Sequence, residues 1–140
     1  MIKKMSEYDS SKQYSKFLFY SSFSMALSMI ISYILNDLYI SLYFLFLFLS
    51  SINHWRKPEY GIRRNIDLFM VYLGGSIVIL QCCLLKSEFN RFMVVSILFN
   101  CIIFFIIEYI LVYFNSNKWV ILHMSIHLYS ILMVLFILIN

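Results

Sequence analysis

The chain has 140 residues, of which 62% are apolar and 13% charged, against roughly 45–50% and about 25% in an ordinary globular domain. A water-soluble domain of this size has too little interior to bury so much apolar surface. A soluble enzyme, a disordered chain and a disulfide scaffold are therefore poor readings, and composition points to a polytopic membrane protein. The formal net charge of +4 does not signal nucleic acid, because the Lys and Arg residues lie in gaps between apolar runs and near the N-terminus, not along one stripe.

Residues 1–16 form a polar segment, a surface helix or disordered, ahead of a transmembrane bundle over 17–140. A span needs about 20 apolar residues, and five runs qualify: residues 17–35, 38–55, 65–85, 92–114 and 119–139. The first follows Lys12 and Lys16 but is too long for a signal-peptide core and lacks a small-residue cleavage site, so it reads as an uncleaved anchor. Its serines are Ser21, Ser22, Ser24, Ser28 and Ser32. Only Asn36 and Asp37 separate it from the second run, which predicts a tight helical hairpin. Pro58 and Gly61 mark the next turn. Residues 86–91 and 115–118 are the remaining gaps. Residues 42–49 and 101–107 are continuously apolar, not alternating, so helices and not barrel strands are expected. Gly74, Gly75 and Ser76 would permit close helix contact, while Gln81 and Asn100 would hydrogen-bond between helices. Cys82, Cys83 and Cys101 lie within spans without a CxxC and read as inert thiols.

With five spans, Lys3, Lys4, Lys12, Lys16, Arg56, Lys57, Arg63, Arg64 and Lys118 fall on one side, and Lys86 and Arg91 on the other. Positive charge marks the cytoplasmic side, which predicts a cytoplasmic N-terminus and an outside or luminal C-terminus. The ionisable residues within or at the ends of the spans are His54, Asp67, Glu108, His123 and His127. Such residues are costly in lipid and usually face the bundle interior. Ser50 and His54 share a helix face at i, i+4, as do His123 and His127. At about 1.5 Å per residue, all five lie within about 14 Å of the basic side. Three imidazoles and a carboxylate are the inventory of a catalytic zinc site with one open position. His54, His123 and His127 would be the ligands, Asp67 would handle the bound water, and Ser50 would donate to an oxyanion or to that water. HxxxH also arises by chance, the histidines could be headgroup anchors beside Trp55 and Trp119, and Asp67 could pair with Arg63 or Arg64. Glu108 is open between general base, fourth ligand or proton relay and a structural partner for an Arg in residues 56–64 or a polar group on the last span.

Ser50-x-x-x-His54, Arg64-x-x-Asp67 running into Met70, Val71 and Gly74, and His123-x-x-x-His127-Leu128 resemble the pattern of the membrane hydrolase superfamily of alkaline ceramidases, progestin and adiponectin receptors and hemolysin III-related proteins. The resemblance covers residues 50–74 and 123–128. It implies zinc held by His54, His123 and His127, with Asp67 and Ser50 at or beside the metal-bound water. The family has seven spans; two between the Asp helix and the last helix are missing here, which keeps the motifs on one side. The resulting expectation is a zinc-dependent, membrane-embedded hydrolase taking a ceramide-like lipid amide from the bilayer. The alternatives are a non-catalytic, metal-stabilised small membrane subunit or assembly protein, alone, as a homo-oligomer or in a larger assembly, and a small transporter or channel.

Overall fold

The computed structural model describes residues 2–59, 61–114 and 116–139, with side chains from residue 12 onward. The side chains of Lys3 and Lys4, counted in the charge bias, and Asn115 of the last expected gap lie outside the described residues. The fold is all-α: α1 (Ile2–Ser21), α2 (Phe23–Ile34), α3 (Leu38–Arg56), α4 (Ile62–Leu84), α5 (Glu88–Tyr113) and α6 (Trp119–Leu138). Among the described residues, five stretches are long and apolar enough to cross a membrane: Lys12–Ile34 and the helices α3, α4, α5 and α6. The protein is a polytopic helical bundle.

The first span is built from α1 and α2. Helix α1 continues through residues 16 and 17 without a break, and the interruption falls at Ser22. There the Leu18 carbonyl accepts from the Ser22 N–H at 3.1 Å and from the hydroxyls of Ser21 and Ser22 at 2.9 and 2.8 Å, and the Met25 N–H turns to the Ser22 carbonyl at 2.9 Å. Hydroxyls that bond back to carbonyls compete with the helical ladder and bend it.

The two-residue connection to α3 works because each residue ends or starts a helix. Asn36 takes φ +61°, a left-handed conformation that Asn tolerates better than most residues. The N–H of Asn36 bonds Tyr33 O at 3.1 Å and that of Asp37 bonds Ser32 O at 2.9 Å, which closes the last turn of α2. The Asp37 carboxylate then caps α3 by accepting from the Ile40 N–H at 2.9 Å. Ser87 caps α5 in the same way through the Asn90 N–H at 3.2 Å.

Helix α2 lies between α3 and α6; α4 packs on α3, and α5 on α6. The ring would close between α4 and α5, but these consecutive helices meet sparingly. The buried residues of α5 are Asn90, Val94, Ile97 and Cys101; from Ile102 to Tyr113 none is buried. The seam is therefore packed near Lys86 and parts toward the basic side. In the half away from the basic side, Ile40, Phe44, Cys82, Leu85, Val94, Val134 and Ile137 form one apolar core. Near the basic side, Leu18, Trp55, Trp119 and Val120 form a smaller cluster. Serines let the first span approach closely: Ser22, Ser28 and Ser32 are fully buried, and the Ser41 hydroxyl donates to Met29 O at 3.1 Å across the hairpin. All three cysteines are free thiols, with Cys83 exposed.

Two sequence expectations change. Asn100 is exposed and its amide bonds Ser96 O of its own helix at 2.8 Å, because a carbonyl one turn back is nearer than any neighbouring helix. The interhelical amide is that of Asn90, donating to Ile139 O at 2.9 Å. Of the two glycines, only Gly74 makes a close approach: a Cβ there would run into the Tyr43 hydroxyl, whereas a Cβ on Gly75 meets nothing within 4 Å. The Tyr43 hydroxyl donates to Met70 O at 3.1 Å, so it is not free to retreat. Gly74→Ala is expected to destabilise the bundle by about 1–3 kcal/mol through overpacking, and Gly75→Ala to leave it unchanged or raise it by up to about 1 kcal/mol through helix propensity. Thermal unfolding of the two variants in detergent micelles checks the contrast.

Candidate functional site

His54, Asp67, Glu108, His123 and His127 all border one cavity of about 890 Å³, reached from α2 to α6. Along α4 it runs from Arg64 to Ile79, about 22 Å at roughly 1.5 Å per residue. Its polar lining gathers toward the basic side; Leu98, Ile102, Val78 and Met133 line the rest.

Each ionisable group has its own local arrangement. On α6, His123 Nδ1 lies 3.1 Å from Glu108 Oε1 of α5, an ion pair when the imidazole is protonated, with the two side chains 15% and 16% exposed. One turn on, His127 Nδ1 lies 3.0 Å from the Ser21 hydroxyl. That hydroxyl donates to Leu18 O, so the arrangement that satisfies both has His127 Nδ1–H donating to Ser21. On α3, the Ser50 hydroxyl points at Leu47 O at 2.9 Å and at Asp67 Oδ1 of α4 at 3.2 Å. Ser51, beside it, meets the Ser22 hydroxyl at 3.0 Å. His54 is buried against Trp55, ring centroids 4.5 Å apart, and Trp55 also stands edge-on to His123 at 5.2 Å. The His123 and His127 rings are 4.8 Å apart at 65°.

This arrangement corrects the zinc expectation. Among the described residues no three His, Cys, Asp or Glu side chains are grouped so that they could hold a metal ion. A zinc site needs nitrogens about 2.0–2.1 Å from one point. Here the Trp55 indole stands against both His54 and His123, and the described groups are not gathered about one point. The residues do not fit zinc, and with it the metal-dependent lipid amide hydrolase falls. Asp67 accepts from the Ser50 hydroxyl, and Glu108 meets His123, a polar group on the last span.

Three contributors were not singled out as site residues. In the sequence Trp55 is only a neighbour of histidines that could anchor at the headgroups, yet it is buried beside His54 and His123; its adjacency to His54 is the available signal. Ser21 and Ser22 connect the first span to His127 and Ser51; their signal was the serine row itself, which periodicity cannot assign to a partner. The buried side-chain atoms without a hydrogen-bond partner include His54 Nδ1, Trp55 Nε1 and Glu108 Oε2, all on residues that border the cavity.

No protein family, curated protein or solved structure matches the chain. The resemblance to the zinc hydrolases thus stays one of short residue patterns.

The Glu108–His123 contact predicts a double-mutant coupling of about 0.5–3 kcal/mol for Glu108→Ala and His123→Ala, read from unfolding in micelles. The same melts should be indifferent to zinc and to a chelator; a melting temperature lowered by the chelator would contradict the corrected site.

Proposed function

We propose that the chain is a small, non-catalytic membrane subunit that holds one amphiphile from the bilayer. The observation that carries this reading is the cavity: about 890 Å³, within the roughly 300–1,000 Å³ of small-molecule sites, polar at one end and apolar along its length. The parting of α4 and α5 supports lateral entry, because their facing residues Tyr72, Ile79, Ile102, Ile106 and Tyr109 are exposed while lining the cavity. Connections between spans are short, so an enzyme or effector that uses the bound molecule would be a partner protein. The excess of Lys and Arg on the side of the polar end supports a cytoplasmic placement of that end.

A transmembrane pore is the weaker reading. The apolar core around Ile40, Phe44, Val94 and Val134 fills the end away from the polar groups, and a void there of about 20 Å³ is lined by Ile40, Ile77, Val134 and Ile137 among others. Packing of this kind among the described residues argues against a wet path across that end.

A ligand that binds only the folded state stabilises it, by about 2.7 kcal/mol at a hundred times its dissociation constant. Adding a single-chain membrane lipid to delipidated protein in micelles is expected to raise the melting temperature of the native chain. Gly75→Phe, whose side chain enters the open space at Gly75, should fold and lose most of that increment. An equal increment in both proteins would contradict occupancy of the cavity.

A further inference from the structure

We propose that the cavity takes a lipid with a hydrocarbon chain of about twelve carbons, and that a floor built from Val78, Leu98 and Met133 sets this length. The proposal rests on the amphiphile-holding role and adds to it the class of lipid, one with a medium-length chain.

The floor follows from which residues line the cavity and which lie one turn beyond them. Val78 of α4, Leu98 of α5 and Met133 of α6 all line the cavity. One turn further from the basic side, on the same three helices, stand Cys82, Val94 and Ile137, each buried in the apolar core. Positions i and i+4 share a helix face, so each lining residue stands directly over a core residue. Val78 and Met133 are themselves packed against that core. The void of about 20 Å³ beside it shares Phe44, Val78 and Met133 with the main cavity, so these side chains form the partition between the two.

The upper limit of the apolar stretch is given by Asp67, Glu108 and His123, which line the cavity on the same three helices. Hydrocarbon gains nothing at their level, because charged and polar groups there lose solvation to it. At roughly 1.5 Å per residue, Asp67 to Val78, Glu108 to Leu98 and His123 to Met133 each span about 15–17 Å. Three helices therefore agree on one depth. Between the two levels the hydroxyls are already used: Tyr43 donates to Met70 O at 3.1 Å, Ser76 to Tyr72 O at 3.2 Å and Ser130 to His127 O at 2.6 Å. The wall between polar level and floor thus asks for no hydrogen bond from a ligand. An extended chain advances about 1.25 Å per carbon, the projection of a C–C bond of about 1.52 Å, so this depth holds about twelve carbons. A shorter chain leaves lining side chains without contacting atoms. A longer one meets the floor and must fold back or leave through the seam between α4 and α5.

The test is a chain-length series with one head. Octanoyl, decanoyl, dodecanoyl, tetradecanoyl, hexadecanoyl and octadecanoyl monoglycerides are added in equal amounts to the full chain in nanodiscs of dioleoylphosphatidylcholine, and the species retained are read by native mass spectrometry. The dodecanoyl compound should be retained about fivefold or more over the octanoyl and octadecanoyl ones, from the packing contacts that a misfitting chain forgoes. Met133→Ala, which joins the cavity to the neighbouring void, should move the maximum to tetradecanoyl or longer. Leu98→Phe, which raises the floor, should move it to decanoyl or shorter. Equal retention of all six, or a maximum at either extreme of the series in the native chain, overturns the length selection and leaves the amphiphile role standing. Retention of none overturns both. A dodecanoyl maximum that neither variant moves overturns the assignment of the floor. A second measurement needs no substitution: a dodecanoyl probe carrying a diazirine at its chain end should, on photolysis, label Val78, Leu98 or Met133, and labelling confined to Tyr72 and Tyr109 overturns the proposal.

Discussion

Inside a bilayer a polar side chain has no water to fall back on, so every hydroxyl, imidazole and carboxyl must find its partner within the bundle. The serines of the first span meet this constraint at its most crowded point. Ser21 and Ser22 bond back to Leu18 O and also reach His127 and Ser51, which fixes α6 and α3 against the same turn. The break between α1 and α2 is the local cost of that double use. With α3 and α6 held on either side of the first span, α4 hangs from α3 and α5 from α6, and the space between these two outer helices becomes the cavity.

The same constraint explains why the bundle is solid near Lys86 and hollow toward the basic side. Away from the basic side the facing residues are apolar and interlock around Val94 and Val134. Toward it, the facing residues are charged or aromatic, and they pair in separate couples, Ser50 with Asp67 and Glu108 with His123. Couples fix helices two at a time. They do not draw five helices to one point, as a shared metal would.

The span pattern was legible from the sequence, since it depends on long apolar runs and on the short breaks at Asn36, Pro58 and Lys86. The membership of the polar end was legible too, because depth follows from residue count: His54, Asp67, Glu108, His123 and His127 all reach one cavity. Their chemistry was not. The i, i+4 spacing of His123 and His127 places two imidazoles on one face, but whether their nitrogens aim at a common centre depends on residues far away in the chain. Ser21 takes one ring nitrogen and Glu108 another, and Trp55 stands beside His54 and His123; none of these appears in the motif. The parting of α4 and α5 was likewise invisible, because apolar faces read alike whether they meet another helix or lipid.

The account stands on the cavity holding an amphiphile and not a metal. The most direct measurement is a native mass spectrum of the intact chain released from lipid nanodiscs. The account predicts a bound species heavier than the protein by the mass of one lipid, with no zinc adduct at stoichiometric level. A spectrum dominated by protein plus zinc and free of lipid, with the zinc lost in His123→Ala, would contradict it.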